Sequence, residues 1–185
     1  LGSTVLILGG AGGCGSAGVQ IAKALGARHV IATCSTGKVG FVSGLGADRV
    51  IDYKTSDWAA VLADGPGVDC VYDTVGPAAG EADCLVRSVR VLKPGGRFVS
   101  ISTCPTGEEE LPNGISTQFV LTQSDNFADL DELKAMCEDG SFAPLAMDGL
   151  FPLEQVADAF RRSQPGRVLG KVGIQVAAGG GGGDG

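Results

Sequence analysis

A doubly wound parallel α/β sheet with helices on both faces, a three-layer α/β/α arrangement, is the fold class this sequence predicts. Apolar, partly β-branched runs alternate with helix-like segments along most of the 185 residues. A glycine-rich turn, Gly10-Ala11-Gly12-Gly13-Cys14-Gly15, joins the first run to the first helix. A second apolar run begins three residues after the glycine that closes that helix.

Thr4–Leu8 (TVLIL) has the composition of a buried parallel strand. The helix expected over residues 13–25 carries Val19, Ile21, Ala22 and Leu25 as apolar positions, and Gly26 stops it. The second strand is expected over 29–33 and a helix over 39–45, ended by Gly46. RVIDY (49–53) reads as strand three, and Asp57 is a natural N-cap for a helix through Leu62. Strand four is expected over 68–74, a helix over 81–92, strand five over 97–102 and strand six over 117–122. A helix near 130–137 follows. The expected strand order is 3-2-1-4-5-6. These elements place one domain at residues 1–141. Residues 142–176 read as a C-terminal appendage, with a helix in EQVADAFRRS and a strand in GKVGIQV, and not as a seventh βα unit. Residues 177–185, AAGGGGGDG, have no capacity to pack and predict a flexible tail.

The turn after the first strand fits G-x-G-x-x-G with Gly10, Gly12 and Gly15. In such a turn the first glycine permits the bend, the second lets a pyrophosphate approach the backbone, and the third lets the helix pack close to the sheet. The helix that follows presents free N–H groups and a positive dipole end. Strand, turn, helix and strand in this order predict dinucleotide binding.

The end of strand two decides which dinucleotide. Enzymes that hold the adenine ribose hydroxyls place Asp or Glu there, whereas this chain reads Cys34-Ser35-Thr36-Gly37-Lys38, and its first carboxylate is Asp48. Residues 1–47 carry Lys23, Arg28 and Lys38 and no acid, a formal +3. Residues 48–185 hold the other 11 basic and all 21 acidic side chains, a formal −10. Positive charge is thus kept where an anion would sit. Hydroxyls from Ser35 and Thr36 and the ammonium of Lys38 suit a 2′-phosphate, which predicts NADPH. One charge-assisted contact of this kind contributes about 1.5–3 kcal/mol, enough for about a tenfold preference.

Net charge of −7 disfavours a nucleic-acid surface, and no apolar run approaches the ~20 residues of a membrane span. Cysteines 14, 34, 70, 84, 104 and 137 show no C-x-x-C spacing, and His29 is the only histidine, so no metal site is expected. Small buried thiols in a reducing intracellular compartment are the expectation. The chain opens as Leu1-Gly2-Ser3 directly on the first strand with no initiator Met, which predicts a piece of something longer.

Six segments together, GGAGGCGSAGVQIAKALGA (9–27), LGADRVIDY (45–53), DCVYDTVG (69–76), VLKPGGRFVSI (91–101), FPLEQVADAF (151–160) and GRVLGKVGIQV (166–176), carry a resemblance. The sequence resembles the cofactor-binding, Rossmann-type half of the medium-chain dehydrogenase/reductase superfamily, on its zinc-free quinone oxidoreductase branch. The resemblance implies Gly12, Gly13 and Cys14 along the pyrophosphate, with Cys14 where the family usually has Val. It implies Ser35, Lys38 and Tyr53 around the 2′-phosphate. Thr74, Val75 and Gly76 would border the adenine and nicotinamide ribose, with Ser102 and Thr103 nearer the nicotinamide and Gly170 and Lys171 in a cofactor-contacting turn. Full-length members add an amino-terminal GroES-like β-domain, absent here, to which the appendage would return and which supplies much of the substrate pocket.

The expected function is therefore the NADPH domain of an oxidoreductase acting on a quinone, enone or related carbonyl. No residue stands out as a general acid, and Asp69 and Asp73 on strand four read as structural. The alternative is a truncated, non-catalytic NADPH-binding or structural subunit. A class I methyltransferase shares a glycine-rich first turn and a late L-x-P-G-G segment, but it also wants an acid after strand two. A short-chain dehydrogenase wants Tyr-x-x-x-Lys, and neither Tyr53 nor Tyr72 has Lys four residues on. An apolar edge strand near 117–122 would otherwise be exposed, and pairing with a second copy in a homodimer is one way to cover it.

Overall fold

Strand β1 (Thr4–Leu8) lies inside a six-stranded, all-parallel sheet of order β3-β2-β1-β4-β5-β6. The computed structural model describes residues 2–77, 83–102, 111–122 and 126–176. The remaining strands of this sheet are β2 (His29–Cys34), β3 (Arg49–Asp52), β4 (Val68–Asp73), β5 (Leu92–Ser100) and β6 (Ser116–Phe119). Strand order and fold class are those the sequence predicts, because each β-helix-β crossover forces parallel neighbours.

Alternate residues of the strands face two separate cores. Leu6, Leu8, Val71 and Phe98 pack with Trp58 and Leu62 of α3 (Trp58–Ala63) and Cys84 of α4 (Cys84–Val89). Ile7, Val30 and Ala32 pack on the other face with Val19 of α1 (Gly13–Ala24) and Val42 of α2 (Val39–Gly44). Asp57 caps α3 as expected, its carboxylate accepting from Ala59 N at 2.9 Å and Ala60 N at 3.4 Å. A further helix, α5 (Phe127–Glu138), buries Met136 and leaves Phe127 and Leu130 exposed.

Three expectations are corrected. The helix predicted over 81–92 ends at Val89, and residues 81–82 lie outside the described residues. Strand β5 begins at Leu92, because the Val68–Leu92 and Cys70–Arg97 pairings flank a register shift that absorbs Lys93-Pro94-Gly95-Gly96. The C-terminal segment is a βαβ unit of its own. Strand β7 (Met147–Pro152), unforeseen in the sequence, pairs in parallel with β8 (Lys171–Gln175), with α6 (Val156–Ser163) between them. Gly149 and a register shift break the alternation that would have marked β7. This pair is separate from the six-stranded sheet and touches it through a bridge between Gly12 and Gly170. The predicted tail, 177–185, lies outside the described residues.

No helix among the described residues is long and apolar enough to cross a membrane. The five described cysteines are free thiols, with Cys34 and Cys84 buried. Cys14 and Cys137 are exposed, against the expectation of buried thiols, because both sit on helix faces turned from the cores.

Candidate cofactor site

The glycine turn crosses the carboxyl end of β1, where Gly10 N donates to Thr33 O at 2.8 Å and Gly9 N to Thr33 Oγ1 at 3.1 Å. A Cβ on Gly15 would lie 2.1 Å from Gly9 O, so the first turn of α1 can seat against β1 only with glycine there. A Cβ on Gly12 would meet nothing closer than Gly9 O at 3.4 Å, so that glycine faces open space. The α1 N-cap is Gly12, with no side-chain cap and no acidic residue in the first turn. The positive end of α1 is therefore available to an anion.

Lys171 adds a cation to this turn. Its side chain lies over Gly13, with Nζ 2.6 Å from where a Gly13 Cβ would stand. Gly170, at φ +68, donates its N–H to Ala11 O at 2.9 Å, which fixes Lys171 in place. Cys14 follows on the same exposed first turn.

At the end of β2, Ser35 enters a short 3-10 turn, Thr36–Lys38. Lys38 Nζ donates to Val168 O at 2.8 Å. The Thr36 hydroxyl stands by the Asp52 carboxyl and does most to hold it below the usual range. Tyr53 is 49% exposed beyond β3, with the Lys54 ammonium 5.4 Å from its ring centroid.

Past β4, the Thr74 hydroxyl donates to Leu8 O at 2.7 Å, so it ties two strand ends. Val75 is 60% exposed and Gly76 turns with φ +72. Ser102 donates its hydroxyl to Asp73. Thr103 lies outside the described residues. The glycine turn, Ser35, Lys38, Gly170 and Lys171 are thus gathered over β1 and β2, while Val75, Gly76 and Ser102 follow β4 and β5.

Asp69 sits at the opposite, amino-terminal edge of β4, bonded to Lys93 Nζ at 2.8 and 2.9 Å and to Thr4 N at 2.7 Å. Sequence reasoning missed three engaged carboxylates: Asp52, Asp148 (which accepts from Leu169 N at 2.9 Å) and the four-donor role of Asp73. For Asp73 the signal was a strand-ending Asp followed by a turn with Gly76. Beside α1, a groove of about 720 Å³ lined by Val5, Ile7, Ile21 and Tyr72 reaches the site at Gly13, Cys14 and Lys171. Among the described residues no group of three His, Cys, Asp or Glu is placed to hold a metal ion.

Comparison with known proteins resolves the lineage. Residues 45–172 match the family model described as zinc-binding dehydrogenase. The chain belongs to the medium-chain dehydrogenase/reductase superfamily. Its sheet is that superfamily's cofactor-binding domain. The chain is 39% identical over 173 residues to the 2-methylene-furan-3-one reductase of Solanum lycopersicum, and 37% identical over 173 residues to the chloroplastic NADPH-dependent alkenal/one oxidoreductase of Arabidopsis thaliana. Each alignment covers 92% of this chain and 40% of the relative. Among solved structures, the quinone oxidoreductase from Coxiella burnetii is similar with a TM-score of 0.79 and 30% identity, over 95% of this chain and 53% of that one. The chain thus spans about half the length or less of these medium-chain dehydrogenase/reductase relatives.

Proposed function

We propose that this chain is the NADPH-binding domain of an oxidoreductase acting on a quinone, an enone or a related carbonyl. The observation that carries the reading is the charge of the two turns: neither the segment after β2 nor the first turn of α1 has an acidic residue of its own, Lys38 and Lys171 stand beside them, and the nearest carboxylate, Asp52, comes from β3. When bound, NADPH would supply a hydride from its nicotinamide C4 to an electrophilic carbon of the acceptor. The names of the two plant relatives, a furanone reductase and an NADPH-dependent alkenal/one oxidoreductase, support this class of acceptor.

The residues divide the work by place. Gly12, Gly13, Cys14 and the first turn of α1 would receive the pyrophosphate, with Lys171 closing over it. Gly10 and Gly15 shape the turn. Ser35 and Lys38 would hold the 2′-phosphate, with Tyr53 at its margin. An ammonium has three donors, and Lys38 commits one to Val168 O, which leaves two for the phosphate. Thr36, whose hydroxyl stands by the Asp52 carboxyl, would add a donor for the 2′-phosphate from the same turn. Val75, Gly76 and Ser102 would border the nicotinamide half. No described side chain is assigned as a proton donor, because Asp69 and Asp73 are both fully engaged. The proton donor and much of the substrate pocket would come from the segment of the relatives that this chain does not span.

Titration with NADPH, followed by turnover assays on a panel of quinones and enones, tests the reading. Saturable NADPH binding is the expected result for this chain, and oxidation of NADPH in the presence of an acceptor is expected once the chain is joined to the segment its relatives add. Binding without turnover in that joined form supports the second reading, a binding-only subunit. No binding at all overturns both.

A further inference from the structure

We propose that Asp73 is a positioning residue that sets the two turns facing the nicotinamide half of the cofactor, an inference that rests on the NADPH reading above. Asp73 ends β4 with 0% exposure, beside the apolar core that Val71 and Phe98 share with α3 and α4. An apolar side chain would serve that core, since a buried carboxylate is costly unless every lone pair is met.

Here the donors come from the turn after β4 and from the end of β5. Oδ1 accepts Val75 N at 3.1 Å and Gly76 N at 3.0 Å, both in the turn after β4. Oδ2 accepts Ser100 Oγ at 3.0 Å and Ser102 Oγ at 3.1 Å, both at the end of β5. Ser102 N donates back to Ser100 Oγ at 3.1 Å, which closes the network on the β5 side. Thr74 between them reaches Leu8 O, so the ends of β1, β4 and β5 are tied into one rigid edge. The exposed groups on that edge, Val75 and Ser102, hold their places through Asp73. A network satisfied at every lone pair is a means of fixing a unique geometry.

The test compares two ligands on the 185-residue chain. NADPH spans both halves of the site, whereas adenosine 2′,5′-bisphosphate reaches only the half over β1 to β3. Asp73→Ala is expected to weaken NADPH about tenfold or more while changing the bisphosphate by less than about twofold. Asp73→Asn keeps an acceptor for the two N–H groups and is expected to recover most of the loss. If Asp73→Ala does not fold, Ser100→Ala removes one buried donor to Oδ2 from a residue that does not itself border the cofactor. It should give the same selective loss at about threefold. Equal weakening of both ligands, or no weakening of NADPH in these variants, overturns the role of Asp73 while leaving NADPH binding standing. Failure of the unmodified chain to bind NADPH overturns the cofactor reading and this inference with it.

Discussion

The ammonium of Lys38 and the carbonyl of Val168, 130 residues apart in sequence, meet in a 2.8 Å hydrogen bond. This bond joins the turn after β2 to the C-terminal βαβ unit. It is one of three links along the same few residues, with Gly170 N on Ala11 O and Lys171 over Gly13. Residues 168–171 therefore cross the carboxyl ends of β1 and β2 and form one wall of the proposed site. Asp148 holds this wall from behind: it accepts from Leu169 N and pairs with Arg162 at 2.6 Å.

Two glycines in the turn separate folding from binding. Gly15→Ala forces a methyl to 2.1 Å from Gly9 O and should destabilise the chain by about 1–3 kcal/mol. Gly12→Ala meets only ordinary contact and should stay within about 1 kcal/mol of the unmodified chain. Its methyl stands where the pyrophosphate would approach, so NADPH binding should fall about tenfold or more. Urea denaturation and NADPH titration of both variants check this. A Gly12→Ala chain that binds NADPH normally contradicts the placement of the pyrophosphate.

The Asp57 cap should be measurable by itself. Its carboxylate bonds two α3 N–H groups and Arg87 NH2 at 2.7 Å, and the Arg87 guanidinium lies 4.5 Å above the Trp58 ring centroid. Asp57→Ala is expected to cost about 1–2 kcal/mol in urea denaturation, and Asp57→Asn, which keeps the cap, clearly less.

Much of the fold was legible because its signals are local. TVLIL, the glycine turn and the Asp57 cap each announce an element within a few residues, and alternation of strand and helix then fixes the order of the sheet. The cation at the end of β2 was equally visible as the residue type Lys38. Its partner was not, since nothing local links Lys38 to Val168. The surroundings of Thr36 and Thr74 were hidden in the same way, because Asp52 and Leu8 O arrive from neighbouring strands. Strand β7 escaped because its stability comes from pairing with β8 and not from its own alternation.

Acid sensitivity should follow from two aspartates that bridge strands to their neighbours. Val30 N and the Lys23 ammonium hold the Asp48 carboxyl below the usual range, and Lys93 with Thr4 N does the same for Asp69. A carboxyl with a depressed folded-state pKa stabilises fully above its unfolded value of about 3.9, and that contribution is lost as pH falls through the folded value. The urea midpoint should therefore drop as pH falls below the unfolded value of about 3.9 and on through the lower folded values. Asp69→Asn should make that drop shallower, and a slope equal to that of the unmodified chain contradicts the assignment.

Preference for the phosphorylated cofactor is tested most directly by calorimetric titration of the unmodified chain and Lys38→Ala with NADPH and with NADH. The site described here predicts about a tenfold preference for NADPH in the unmodified chain, and a Lys38→Ala chain that loses affinity for NADPH with NADH little changed. Equal loss for both cofactors, or no loss for either, would contradict it.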